Sequence, residues 1–186
     1  EAERTLGLDV EPRLQQLMLP YPRVLHTLSA AYAVANVGLT VGWLVLMFRQ
    51  RHPDFHRLRR TTVLATMAAQ PVFLFFPCAP PRRLDHIVDT IADVTGVDLE
   101  SGLIGQLYIP IAAMPSIHVT YAVITGHGLA QTSRSPLVRS LGKAYATLVA
   151  FVVFVTGNHY VLDAIVGGML GGVALRTAHR LSRLSR

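Results

Sequence analysis

His159 and Asp163 stand four residues apart in the run Thr156-Gly-Asn-His-Tyr-Val-Leu-Asp163, and this spacing predicts that both side chains share one face of a helix. A carboxylate so placed accepts a hydrogen bond from one imidazole N–H, which fixes the tautomer and leaves the other ring nitrogen free as nucleophile or base. His118 closes a second segment, Met114-Pro-Ser-Ile-His118. There Ser116 either caps the free N–H groups at a helix start or offers its hydroxyl, with those groups, to an anion. A second imidazole across the site from His159 can protonate a leaving oxygen. A third segment, Phe76-Pro-Cys-Ala-Pro-Pro-Arg-Arg83, supplies Arg82 and Arg83, whose guanidinium groups match phosphate oxygens in bidentate fashion. Two histidines, one oriented by a carboxylate, beside arginines and a helix amino end suit phosphoryl transfer through a phosphohistidine.

These segments need a frame, and composition says of what kind. The 186-residue chain is 51% hydrophobic and only 15% charged, against roughly a quarter charged in soluble domains. That excludes disorder, nucleic-acid-binding tails and an ordinary soluble enzyme. The single cysteine, Cys78, excludes an internal disulfide and a cysteine-built metal site. Crossing the hydrocarbon takes about 20 mostly apolar residues in a helix. Stretches free of Asp, Glu, Lys and Arg run from Val24 to Phe48, from Thr61 to Pro81, and from Ser101 to Ser133, the last entering its helix near Ser116 after two prolines, Pro110 and Pro115. Between Lys143 and Arg176 only Asp163 is charged, which leaves room for two spans turning near Thr156-Gly157-Asn158, the first starting around Leu137. The expected fold is all-α: a polytopic membrane helical bundle of five spans, residues 23–186, forming one catalytic domain. Residues 1–22, too polar to span, are expected to form an interfacial helix or extracytoplasmic segment.

Charge placement gives the orientation. Arg49, Arg51, Arg57, Arg59 and Arg60 follow the first span; Arg134, Arg139 and Lys143 follow the third; Arg176, Arg180, Arg183 and Arg186 follow the fifth. Five spans put these segments on one side, and they hold twelve of the 17 bases. By the positive-inside rule that side is cytoplasmic. The three chemistry-bearing segments then lie at the extracytoplasmic face of an integral plasma membrane protein. If the full chain starts in the cytoplasm, a sixth span is expected ahead of Glu1. The net charge of +6 thus reports topology, not a polyanionic partner, and no nucleic acid is expected.

Pro115-Ser116-Ile117-His118 resembles the second signature, and His159-x3-Asp163 the end of the third, of the type 2 phosphatidic acid phosphatase superfamily of membrane lipid phosphatases and phosphotransferases. The segments FPCAPPR, AAMPSIH and TGNHYVLDAIVGG, in that order, are most similar to its branch of inositol phosphorylceramide synthases and actinobacterial relatives. The resemblance covers roughly residues 60 to 175. It implies that His159 attacks phosphorus, Asp163 orients it and His118 protonates the leaving alkoxide, after which water or an alcohol acceptor resolves the phosphoenzyme. The substrate implied is a phospholipid or polyprenyl phosphate, diphosphate or phosphodiester.

Two cations usual in the family are missing. Val152 and Val153 stand where its third signature carries Ser-Arg, and Phe75 or Phe76 where its first carries lysine. Less positive charge favours a singly charged phosphodiester over a monoester of nearly two charges. The balance tilts toward head-group transfer, with hydrolysis of phosphatidate or a prenyl phosphate as the alternative. A non-catalytic lipid-binding or transport protein on the same frame is the alternative of another class. Arg82, Arg83, Ser116, Tyr108 and Asn158 are the expected substrate contacts. No metal and no cofactor are expected. His127 reads as a polar packing residue, the Arg49 to Arg60 run as a contact for anionic lipid heads, and the two overlapping G-x-x-x-G spacings from Gly167 to Gly172 as sites of close helix approach.

Overall fold

The computed structural model describes residues 2–95 and 112–184. In chain order its helices are α1 (Ala2–Leu6), α2 (Glu11–Met18), α3 (Pro22–Ala30), α4 (Asn36–Arg49), α5 (Phe55–Phe75), α6 (Ile117–Thr132), α7 (Pro136–Val155) and α8 (Val161–Leu184). A π turn, Ala31–Ala35, joins α3 to α4 without a break, so residues 22–49 form one continuous helical run. No strand occurs among the described residues, only a single parallel bridge between Cys78 and Ala112. The all-α reading therefore holds among the described residues. By length and apolar composition α7 and α8 are each able to cross a membrane, and α4 is a shorter apolar helix.

Local chemistry sets the helix starts. Pro22 and Pro136 occupy first-turn positions, where the missing N–H costs nothing. The side chains of Ser116 and Ser135 accept the N–H groups of Val119 and Val138 to cap α6 and α7. Helix α5 runs through Pro71 and ends at Phe75, ahead of the Pro77 segment.

Close backbone approach holds the bundle together. Helices α6 and α7 cross at Gly126 and Gly142, where an added Cβ on either residue would sit 2.5 or 2.7 Å from the other's carbonyl oxygen. The Trp43 ring of α4 occupies the space where a side chain on Gly128 of α6 would stand. Of the glycine spacings in α8, one pair does the packing. Gly167 and Gly171 abut Ser116, Thr120 and Val123 of α6, whereas Gly168 and Gly172 have at most one atom at van der Waals range. The core near the α6 start joins Ile91, Val119, Ala122, Val149, Val153 and Ala164. Outward-facing surfaces are apolar, with Val34, Met67, Leu74, Phe75 and Met169 all exposed.

Candidate active site

At the end of the bundle where α6 and α8 begin, the chain brings His118, His159 and Asp163 together. His159 does not ride on α8 but stands in the turn before it. Gly157, at φ +67°, makes that turn in the left-handed region that favours glycine. The N–H groups of Asn158 and His159 both return to the Val153 carbonyl, at 3.0 and 3.3 Å.

This geometry corrects the expected helix-face pair. Nδ1 of His159 lies 2.9 Å from the Ala113 carbonyl oxygen and 3.6 Å from Oδ2 of Asp163. A carbonyl only accepts, so Nδ1 carries the proton and Nε2 keeps the lone pair. Asp163 Oδ2 instead accepts the Tyr160 N–H at 2.9 Å, capping α8 while its charge stays beside the imidazole. Both side chains are almost wholly enclosed, His159 at 3% exposure and Asp163 at 1%. The reach to Ala113 is set by the loop ahead of α6. The Ala113 N–H donates to the Cys78 carbonyl at 3.0 Å, and the chain enters α6 through a cis Met114–Pro115 peptide.

The His118 and His159 rings are 5.6 Å apart between centroids. Tyr32, from the π turn, stacks on His118 at 4.3 Å and meets His159 edge-on at 6.3 Å. Behind His118, Asn36 Nδ2 donates to its carbonyl at 2.8 Å, and the Tyr145 hydroxyl donates to Asn36 Oδ1 at 2.9 Å. Among the described residues, Nδ1 of His118 and Nε2 of His159 are buried nitrogens with no hydrogen-bond partner. A small apolar pocket of about 140 Å³, lined by Tyr32, His118, Leu148, Val149, Val152 and Val153, opens on the His118 side. The two valines standing in the family's Ser-Arg positions thus belong to an apolar wall.

The expected substrate contacts fare differently. Arg82 is buried; its backbone N–H donates to the Gly157 carbonyl at 2.7 Å, and its guanidinium pairs with Asp89 at 2.7 Å. It braces the turn that carries His159 and arrives already neutralised. Arg83 is exposed. Ser116 is fully buried, its hydroxyl oxygen accepting the Val119 N–H at 3.3 Å and its own N–H donating to the Asp163 carbonyl at 3.0 Å. It acts here as the cap that ties α6 to α8. Asn158 is buried with its amide nitrogen donating to Thr156, and its Oδ1 is without a partner among the described residues. Tyr108 lies outside the described residues.

Two acids absent from the sequence reading complete the outer wall. Glu11 accepts the Val161 N–H at 2.8 Å and Glu3 the Leu162 N–H at 2.7 Å. With Asp163 on Tyr160, three successive amides at the α8 start each meet a carboxylate, the favoured charge at a helix amino end. Burial raises Glu3 and pushes Glu11 up to about 7. Gln15 pins the same segment by exchanging hydrogen bonds with Val88, at 2.9 and 2.8 Å. Glu3, Asp9, Glu11 and Asp163 line a cavity of about 680 Å³ together with Cys78 and Tyr160. Burial pushes the Cys78 thiol up to about 11, so it supplies no thiolate nucleophile near neutral pH.

The sequence model of a family described as the PAP2 superfamily matches residues 1–177. The crystal structure of Aquifex aeolicus LpxE is similar, with a TM-score of 0.67 over 93% of this chain and 94% of that one at 18% sequence identity, a likeness of fold. No curated protein sequence matches the chain.

Proposed function

The chain belongs to the PAP2 superfamily and is a phosphatase-type enzyme; we propose that it acts on a lipid phosphodiester by transferring the phosphorylated head group through a phosphohistidine. One observation carries this reading: two buried imidazole nitrogens without partners among the described residues, on rings 5.6 Å apart, one ring held by a carbonyl with a carboxylate's charge beside it. Nε2 of His159 forms a bond to phosphorus as the bond from phosphorus to the lipid alkoxide breaks, and His118 gives that alkoxide its proton. In the second half, water or an alcohol acceptor attacks phosphorus, His118 takes its proton, and His159 leaves. His118 faces the apolar pocket, which suits the lipid side of the scissile bond.

The tilt toward a diester rests on charge. Arg82 is neutralised by Asp89, Val152 and Val153 are apolar wall, and the outer cavity carries four acids. Such a site disfavours a dianion more than a monoanion. The likeness of the segments FPCAPPR, AAMPSIH and TGNHYVLDAIVGG to those of the inositol phosphorylceramide synthase-like branch supports the same reading. The outward apolar side chains and the basic segments at the far end support insertion in the cell membrane with the histidines on the extracytoplasmic face.

The test is mass-spectrometric product analysis with a panel of phospholipids and polyprenyl phosphates, with and without polyol acceptors. Transfer of a head group from a diester, and phosphate trapped on wild type but not on His159→Ala, is the expected result. Rapid release of phosphate from phosphatidate with no transfer to any alcohol would reverse the tilt.

A further inference from the structure

At the end of the bundle away from His118 and His159, three helices enclose a second large cavity. Its volume is about 820 Å³, within the usual range for small-ligand sites. The run of α6 from His118 to His127 puts its depth about 13 Å from the histidine pair along the helix. Its basic lining comes from separate elements: Arg57 and Arg60 of α5, His127 of α6, and Arg176, His179 and Arg183 of α8.

Asp54 is the one acid among the lining residues, and it is already engaged by Arg57, whose Nη2 lies 2.9 Å from Oδ1 and whose Nε also donates to it at 3.1 Å. Arg57 reaches on to Gln131 of α6 at 3.4 Å, so it is held in place across two helices. Among the described residues, Arg60, Arg176 and Arg183 meet no carboxylate. Like charges gathered from α5 and α8 around one space repel each other, and an anion in that space removes the repulsion. Guanidinium groups fit phosphate oxygens in two-pronged fashion, and basic pockets between membrane helices at the cytoplasmic end hold anionic lipid heads. Arg57 and Arg60, part of the run read from sequence as a contact for anionic lipid heads, and His127, read as a packing residue, meet here in one concave place.

We infer that this cavity is a second, non-catalytic site for a phosphate-bearing anion, the chemistry shared by an acidic phospholipid head group and free phosphate.

The test uses the full purified chain in phosphatidylcholine nanodiscs. Phosphatidylglycerol is titrated in and its binding read by native mass spectrometry and thermal shift, with inorganic phosphate in a parallel arm. Wild type should take phosphatidylglycerol in preference to phosphatidylcholine, and the double variant Arg60→Gln/Arg176→Gln should weaken it by at least about tenfold. The variant Arg134→Gln/Arg139→Gln loses the same charge from residues that do not line the cavity and should stay within about twofold. Should the first variant fold poorly, Arg60→Lys/Arg176→Lys keeps the charge and is expected to bind within about threefold of wild type. Inorganic phosphate that displaces the lipid assigns the site to the phosphate group itself, and lipid binding unmoved by phosphate assigns it to the membrane-held head group; both support the inference. Equal weakening in the lining and non-lining variants, or indifference between the two phospholipids, overturns it.

Discussion

Nδ1 of His159 lies 2.9 Å from the Ala113 carbonyl oxygen, nearer than the 3.6 Å that separates it from Asp163. The backbone, not the carboxylate, holds the tautomer that leaves Nε2 nucleophilic. Asp163→Asn should therefore be milder than in sites where the carboxylate alone does this work. Turnover is expected to fall about 100-fold, whereas His159→Ala should fall by at least about 10⁴. Steady-state rates on the same lipid decide the matter; equal losses in the two variants would mean that the carbonyl does not hold the ring.

His118 has the role of an acid for the leaving alkoxide, so its value depends on the leaving group. His118→Ala is expected to slow turnover of a natural lipid diester by about 10² to 10⁴. A nitrophenyl phosphodiester, whose anion leaves unaided, should lose less than about tenfold. A parallel drop on both substrates would assign His118 to packing instead.

Glu11 links the first helices to pH. Burial raises it to about 7 from 4.5, so between those values the folded chain binds a proton that the unfolded chain has lost. Stability is then greatest below the lower value, declines as pH rises through the window, and is level above it. Glu3 and Asp9, which also raise it, deepen the penalty once it ionises. Thermal unfolding and hydrogen exchange of residues 2–18 should show a looser segment at pH 8 than at pH 5, and Glu11→Gln, which keeps an oxygen for Val161, should flatten the difference. A Gln variant with the wild-type slope would place the titration elsewhere.

The two glycine pairs of α8 should respond oppositely to the same change. A Cβ at Gly167 collides with the Ser116 carbonyl oxygen, whereas one at Gly172 meets nothing. Gly167→Ala is expected to destabilise by about 1–3 kcal/mol and to cost activity, because Ser116 caps α6 two residues ahead of His118. Gly172→Ala should be neutral or slightly stabilising, since alanine is the better helix former. Thermal midpoints in detergent separate the two; indistinguishable midpoints would show that α6 and α8 are not in tight contact there.

His118, His159 and Asp163 were legible in sequence because hydropathy brings their segments to one depth and each offers a chemically active side chain. Ala113 was not, since it contributes only a carbonyl, which no residue type advertises. Tyr32 lies in an uncharged run where an aromatic looks like any packing group, and only the π turn aims it at His118. Asn36 is hidden in the same way until Tyr145, far along the chain, is placed beside it. Arg82 was visible as a cation, but its partner Asp89 depends on how the loop after Pro81 folds back. The helices themselves were readable because a long uncharged, apolar stretch leaves its mark along most of its length.

The bonds from Glu11 to Val161 and from Glu3 to Leu162 join residues 150 and 159 positions apart. A ribosome adding about 5–20 residues each second makes the two acids roughly 8–30 s before their donors exist. During that interval the nascent chain carries two carboxylates bound for burial and nothing to receive them. Assembly of the outer wall thus waits for the start of α8, and a chain stopped short of α8 has no means of closing it.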